Sequence, residues 1–316
     1  MLPSAVFRRR SQPDRDPNRD LAADEARELL RRVRRIRLRT RQVVDAAFAG
    51  QYHAAFKGRG MEFEEVRPYL VGDDVRTIDW NVSARLGEPH VKLFREEREL
   101  TVMLAVDLSG SLAFGTHGQF KRDLLAELAA TVAFSAAMNN DKIGLLAFTD
   151  RVERFVPPRK GTKHVMRIVR ELLALRPEGR GTAIGPALEE LGRVLRQRSV
   201  VFVVSDFLDE SWDRPMRMAR RRHDVVPVVV QDPGERELPA MGLVEFTDAE
   251  TGERRLVDTG RRSVRRRFAE TAEARAAARD RLLRGMRLDP IEITTGEDFV
   301  APLSASFRRR ERRRAR

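Results

Sequence analysis

Asp107, Ser109 and Ser111 alternate at the end of an apolar run, within the stretch MLAVDLSGSLAFG that begins at Met103. Thr182 lies on a glycine-bearing stretch, GRGTAIGPALEEL, and Asp206 ends a second apolar run, SVVFVVSDF. In open parallel sheets, ligand sites form beyond the carboxyl ends of the strands. If the runs from 101 and 199 are neighbouring strands, two carboxylates and three hydroxyls converge on one point. That set is all oxygen, without nitrogen or sulfur, and suits a hard cation, Mg²⁺ first and Mn²⁺ next. Mg²⁺ gives up its waters reluctantly, so neutral hydroxyls with outer carboxylates fit it, with one coordination position left for an outside oxygen.

Other chemistries fail on the residues present. An EF-hand loop starting at Asp107 needs glycine sixth and an acid twelfth, where Leu112 and Gly118 stand. A nucleophile elbow on Ser109 needs glycine two residues either side, where Asp107 and Ser111 stand. An aspartyl phosphatase using Asp107 would want a second acid at Ser109, and no phosphate-binding Gly-x-x-x-x-Gly-Lys-Ser/Thr loop occurs. The chain has no cysteine, and its histidines (His53, His90, His117, His164, His223) lack ligand spacing. Capping of a following helix needs one such residue and leaves Thr182 and Asp206 unexplained.

The elements that must position these residues are legible in outline. LTVMLAVDL, KIGLLAFT, SVVFVVSDF and DVVPVVVQD read as strands covered on both faces, and RVERFVPP alternates as an edge strand. Helices are expected over 120–140, 162–175, 184–196 and 212–222. The alternation predicts an α/β fold with a doubly wound, mostly parallel sheet. Residues 24–48 read as a helix with a basic outer face, and 50–99 as short strands and turns. A hairpin turning at Thr251-Gly252, a charged helix over 261–285 and a last strand IEITT complete the pattern. The organisation is therefore 1–23 disordered, 24–98 helix plus β-rich block, 99–235 metal-site domain, 236–300 hairpin and helix, and 301–316 basic tail.

The net charge of +13 comes almost wholly from arginine, with six lysines among 61 basic residues. Much of it lies in RRVRRIRLRTR at 31–41 and RRRERRRAR at 308–316, runs that read as solvated faces or tails. Aromatics make up 6%, and the basic ends lack the interleaved rings that stack on bases, so nucleic-acid binding is the lesser reading. No run approaches the ~20 apolar residues that span a bilayer, and the first residues lack a secretory apolar core. A cytoplasmic location is expected.

The pattern Asp-x-Ser-x-Ser, a distant Thr on a glycine loop and a later Asp resembles the metal-ion-dependent adhesion site of von Willebrand factor A domains. The resemblance implies that Ser109, Ser111 and Thr182 touch the metal, and that Asp107 and Asp206 hold it directly or through water. Ala183 departs from the pattern, because A domains often carry an acid there. Upstream, Arg67, Tyr69, Gly72, Asp73, Arg76, Ile78, Asp79 and Trp80 spell an Arg-x-Tyr-x-x-Gly-Asp-x-x-Arg-x-Ile-Asp-Trp block. This block is similar to the signature of a bacterial domain-of-unknown-function family, number fifty-eight, over about residues 30–300. Genes of that family often lie beside a MoxR-type AAA+ ATPase, which implies an adaptor or chaperone-like partner of such an ATPase.

The block has two readings. It is either an ion-paired β-segment anchored by Ile78 and Trp80, or a docking surface in which Arg67, Tyr69, Asp73, Arg76, Asp79 and Trp80 meet a partner. The expected function is a non-enzymatic, Mg²⁺-dependent binding protein whose metal is completed by an acidic residue of the partner. Two alternatives are a metal-dependent phosphoester hydrolase, with Asp209 or Asp150 as base, and a nucleic-acid binder acting through the arginine-rich ends.

Overall fold

The computed structural model describes residues 31–40, 44, 49–56, 62–95, 99–113, 115, 120–209, 211–248 and 252–314. The expected disorder of 1–23 lies outside them. Among the described residues, strands β3 (Thr101–Asp107), β4 (Lys142–Phe148), β5 (Val152–Arg159), β6 (Val200–Ser205), β7 (Asp224–Gln231) and β10 (Ile291–Thr294) form one sheet. Its order is β10-β7-β6-β3-β4-β5. All neighbours pair in parallel except β4 and β5. The chain is thus a mixed α/β fold with a mostly parallel central sheet.

The central strands β3, β4, β6 and β7 alternate between two apolar layers, as the two-residue period of a strand requires. Val102, Leu104 and Val106 of β3 face a layer built with helices α4 (Lys121–Met138) and α5 (Thr162–Ala174). Met103 and Ala105 face the opposite layer, built with α6 (Ile184–Val194) and α7 (Asp213–Arg222). The helix α4 lies close because its buried face is largely alanine, at 126, 129, 130, 133 and 136. Gly144 is required by a close approach: a Cβ there would stand 2.5 Å from Met103 Sδ and 2.9 Å from the Val156 carbonyl. Pro227 interrupts β7, but pairing with β10 begins only at Val228, so the strand still has an open edge where the N–H is missing.

The ends of the chain cover one face of this sheet. Residues 31–40 form helix α1, with Val33 and Ile36 buried. Arg32 pairs with Asp123, and Arg39 with Glu127 at 3.2 Å, which ties α1 to α4. Helix α2 (Ala49–Phe56) brings Tyr52 and Phe56 against Phe307 of α9 (Val300–Arg314), and Phe56 also meets Phe202 of β6. Two expectations are corrected here. The start of the 50–99 segment is helical, and the described part of the 301–316 basic tail is a packed helix. Leu303 and Phe307 are fully buried, Arg310 lies over the Phe56 ring and pairs with Asp224, and Arg313 pairs with Asp289. The cause is the apolar spacing of Phe299, Leu303 and Phe307, which the surrounding arginines mask.

Smaller elements flank the sheet. Strands β1 (Glu62–Pro68) and β2 (His90–Arg95) pair antiparallel around helix α3 (Trp80–Leu86). Strands β8 (Leu243–Thr247) and β9 (Arg254–Asp258) form the hairpin, followed by helix α8 (Arg262–Gly285). No helix among the described residues is long and apolar enough to cross a membrane.

Candidate metal centre

Strands β3 and β6 are neighbours, with Val106 beside Val204, so the two carboxylate-bearing ends lie together. Asp107 is fully buried and has both oxygens engaged: Ser109 N–H donates to Oδ1 at 2.9 Å, and Ser205 Oγ donates to Oδ2 at 2.6 Å. Ser109 Oγ lies 3.0 Å from Ser111 Oγ. Burial, and then the facing Asp206 carboxylate, push Asp107 up to about 7 against the pull of the serine hydrogen bonds. The rise comes first from loss of water around the carboxyl and second from the neighbouring acid.

Backbone bonds hold the serine loop in addition to the Ser109 N–H bond to Asp107. Leu108 N–H donates to the Phe148 carbonyl at 2.7 Å, and Gly110 N–H to the Arg180 carbonyl at 2.9 Å. The second bond clamps the serines to the glycine loop that carries Thr182. Ala183 N–H donates to the Thr149 carbonyl at 2.9 Å, which seats the same loop over the end of β4. Thr182 is half-buried there. The N-cap of α4 is Phe120, without a side-chain cap, so capping of that helix does not account for the Asp and the two serines.

Asp206 is buried, accepts from Leu208 N–H at 3.3 Å, and faces an ammonium: Lys121 Nζ lies 3.4 Å from its Oδ2. Lys121 also pairs with Glu235. Glu235 accepts from Asp232 N–H at 3.0 Å and is raised by burial, against which Lys121 pulls it down. Lys121, Ser205 and Glu235 escaped sequence reasoning. A lysine in a chain whose basic residues are nearly all arginine, heading an alanine-rich helix, was the available signal.

The remaining candidates lie apart from this chemistry or serve the fold. Asp209 caps α6, accepting from Ile184 N–H at 3.0 Å, and also binds Ser211. Asp150 is half-exposed beside Arg151. In the upstream block Arg67 forms a two-pronged pair with Asp73 at 2.7 and 2.8 Å, and that guanidinium holds Asp73 down to about 2. Asp79 caps α3 through Asn81 and Val82 N–H and pairs with Lys92 at 3.0 Å. Tyr69 is half-buried and Arg76 exposed. Trp80 is 70% exposed, so it does not anchor the block as a packing residue. Among the described residues, no group of three or more His, Cys, Asp or Glu side chains is arranged to hold a metal ion.

The chain has relatives across most of its length. Residues 65–278 match the family described as "Protein of unknown function DUF58". "Uncharacterized protein Rv1480" of Mycobacterium tuberculosis is 34% identical over 274 residues, covering 86% of each chain. "Uncharacterized protein MAV169" of Mycobacterium avium is 31% identical over 162 residues, or 50% of this chain and 94% of its own. Among solved structures, the conserved hypothetical protein BatB from Bacteroides thetaiotaomicron aligns over 67% of this chain and 99% of its own, with 14% identity and a TM-score of 0.44. An aerotolerance-related membrane protein from Bacteroides fragilis aligns over 68% and 99%, with 15% identity and a TM-score of 0.47. The matched family span runs from the Arg67–Trp80 block through the oxygen cluster into α8, and the chain belongs to the DUF58 family.

Proposed function

We propose that this chain is a non-enzymatic, Mg²⁺-dependent protein-binding adaptor built on a von Willebrand A-like domain. Its partner would be a MoxR-type AAA+ ATPase, supplying an acidic side chain to the metal. The observation that carries this reading is the meeting of Asp107, Ser109, Ser111, Ser205 and Asp206 at the adjoining ends of β3 and β6. The donors fit a magnesium ion, with Mn²⁺ as the alternative: every atom is oxygen, the acids are few, and the rest are neutral hydroxyls. Ser109, Ser111 and Thr182 would hold the ion, with Asp107 and Asp206 as direct or water-mediated partners. The bound ion would offer a Lewis-acid position to a carboxylate from outside.

The upstream block supports the same reading as a second contact. Its fold is fixed by the Arg67–Asp73 and Asp79–Lys92 pairs, which leaves Leu70, Val71, Val75, Trp80 and Leu86 exposed. Exposed tryptophan and arginine on a rigid frame are the side chains that dominate protein interfaces.

The test is thermal unfolding in EDTA and then in millimolar Mg²⁺, on wild type and Asp107→Ala. An ion at a hundred times its dissociation constant adds about 2.7 kcal/mol, a visible rise in Tm. Wild type should show it and the variant should not. Pull-down of a MoxR-type ATPase should follow the same dependence. Capture that persists in chelator would remove the metal from recognition.

A further inference from the structure

Lys121 is a fully buried charged side chain beside the cluster, at 0% exposure. It also stands where a cation is least welcome, at the first residue of α4, whose N-terminus already carries positive dipole. Burying an ammonium costs several kcal/mol unless carboxylates compensate it. Here the compensation comes from two directions, Asp206 at the end of β6 and Glu235 after β7. Two carboxyl groups, those of Asp206 and Glu235, therefore share one ammonium. A single structural ion pair would need only one of them.

The choice of lysine is also informative. Six of the 61 basic residues are lysine, so arginine is this chain's default cation. A lysine ammonium is a compact point charge on a flexible stem, able to move between two acceptors, whereas a guanidinium is a rigid planar fork.

We infer that Lys121 is a tethered cation that competes with the divalent ion for Asp206, and that Glu235, already its closer partner, retains the ammonium when the ion binds. This rests on the reading of the cluster as a divalent-cation site and names what sets its affinity. Lys121, held between Asp206 and Glu235, offsets part of the buried negative charge of the cluster. Glu235 gives the displaced charge a place to go, which a purely structural Lys121–Asp206 pair would not require. Metal affinity is accordingly lower than the oxygen donors alone would give, and it tightens when anything draws Lys121 away from Asp206.

The experiment is calorimetric titration of Mg²⁺, repeated with Mn²⁺, into wild type, Lys121→Met and Glu235→Gln, with circular dichroism to verify folding. Lys121→Met should bind at least about tenfold more tightly than wild type, or about 1.4 kcal/mol. Glu235→Gln should bind severalfold more weakly, because the ammonium then has Asp206 alone. Equal or weaker binding by Lys121→Met would overturn the competition while leaving the cation site standing. Binding by none of the three would overturn the site itself, and the competition with it. Should Lys121→Met not fold, Glu235→Gln decides: unchanged affinity overturns the inference.

Discussion

Phe207 takes φ 58°, a left-handed backbone that a bulky side chain rarely adopts. The kink falls directly after Asp206 and is held in place on both sides. Its ring packs edge-on to Trp212 at 5.4 Å, and its N–H donates at 3.1 Å to the Ser205 hydroxyl that serves Asp107. Strain of this kind persists where surrounding contacts over-determine it. A second buried acid, Asp141, permits a prediction free of the metal question. Burial lifts it from 3.8 to about 6, although Leu100 N–H donates to it at 2.9 Å. The folded state then holds this proton at pH values where the unfolded chain has released it. Its contribution is full below the ordinary carboxylate range and is lost as pH rises toward about 6. Asp141→Asn should flatten that part of the stability–pH curve, by no more than about 3 kcal/mol. Denaturant midpoints across the window check it, and an unchanged slope would assign the effect elsewhere. At this scale Asp107, Ser109, Ser111 and Asp206 were legible because strand ends announce themselves by a polar break in an apolar run. Lys121 and Glu235 were not. Their relation joins residues 114 positions apart and exists only once α4 and the segment after β7 are placed.

Among the elements, the β1–α3–β2 unit shows most clearly what composition conceals. The sequence reads as short strands and turns, yet Trp80–Leu86 is a helix, capped at one end by Asp79 and at the other by Gly87 with φ 79°. Asp79 was identified as an acid of the motif; its work as an N-cap was hidden because capping residues and interface residues share an alphabet. Trp80 is exposed, as the docking reading of the block requires of it. Trp80→Ala should change stability by no more than about 0.5 kcal/mol, as surface substitutions do, while weakening capture of the ATPase. Tm and pull-down measured on the same preparation check this. A large drop in Tm would return Trp80 to a structural role. The strands of the main sheet were read nearly to the residue, since runs such as VVFVV have no reasonable alternative in a parallel sheet.

For the molecule as a whole, the decisive contact is between chain ends. Phe307 is fully buried against Tyr52 and Phe56, and Phe56 against Phe202, which joins α9, α2 and the central sheet in one aromatic cluster. Phe307→Ala should cost about 3–5 kcal/mol, the range for emptying a large aromatic site. Urea unfolding checks it, and a loss within the surface range would mean that α9 is an accessory. The sequence concealed this cluster beside eight charged residues: the arginines of RRRERRRAR argue for solvent while Leu303 and Phe307, a helical step apart, argue for a core.

The position of α9 also bears on how the chain is made. It is made about a hundred residues after β6 is complete, and through Phe307 it covers Phe56, which packs on Phe202 of β6. Through that interval Phe202 and Phe56 lack their final cover. Nascent chains carrying every strand but not this helix should therefore be the form that aggregates and recruits chaperones. The arginines that flank the apolar residues of α9 would then keep a late-arriving hydrophobic segment dispersed until it docks.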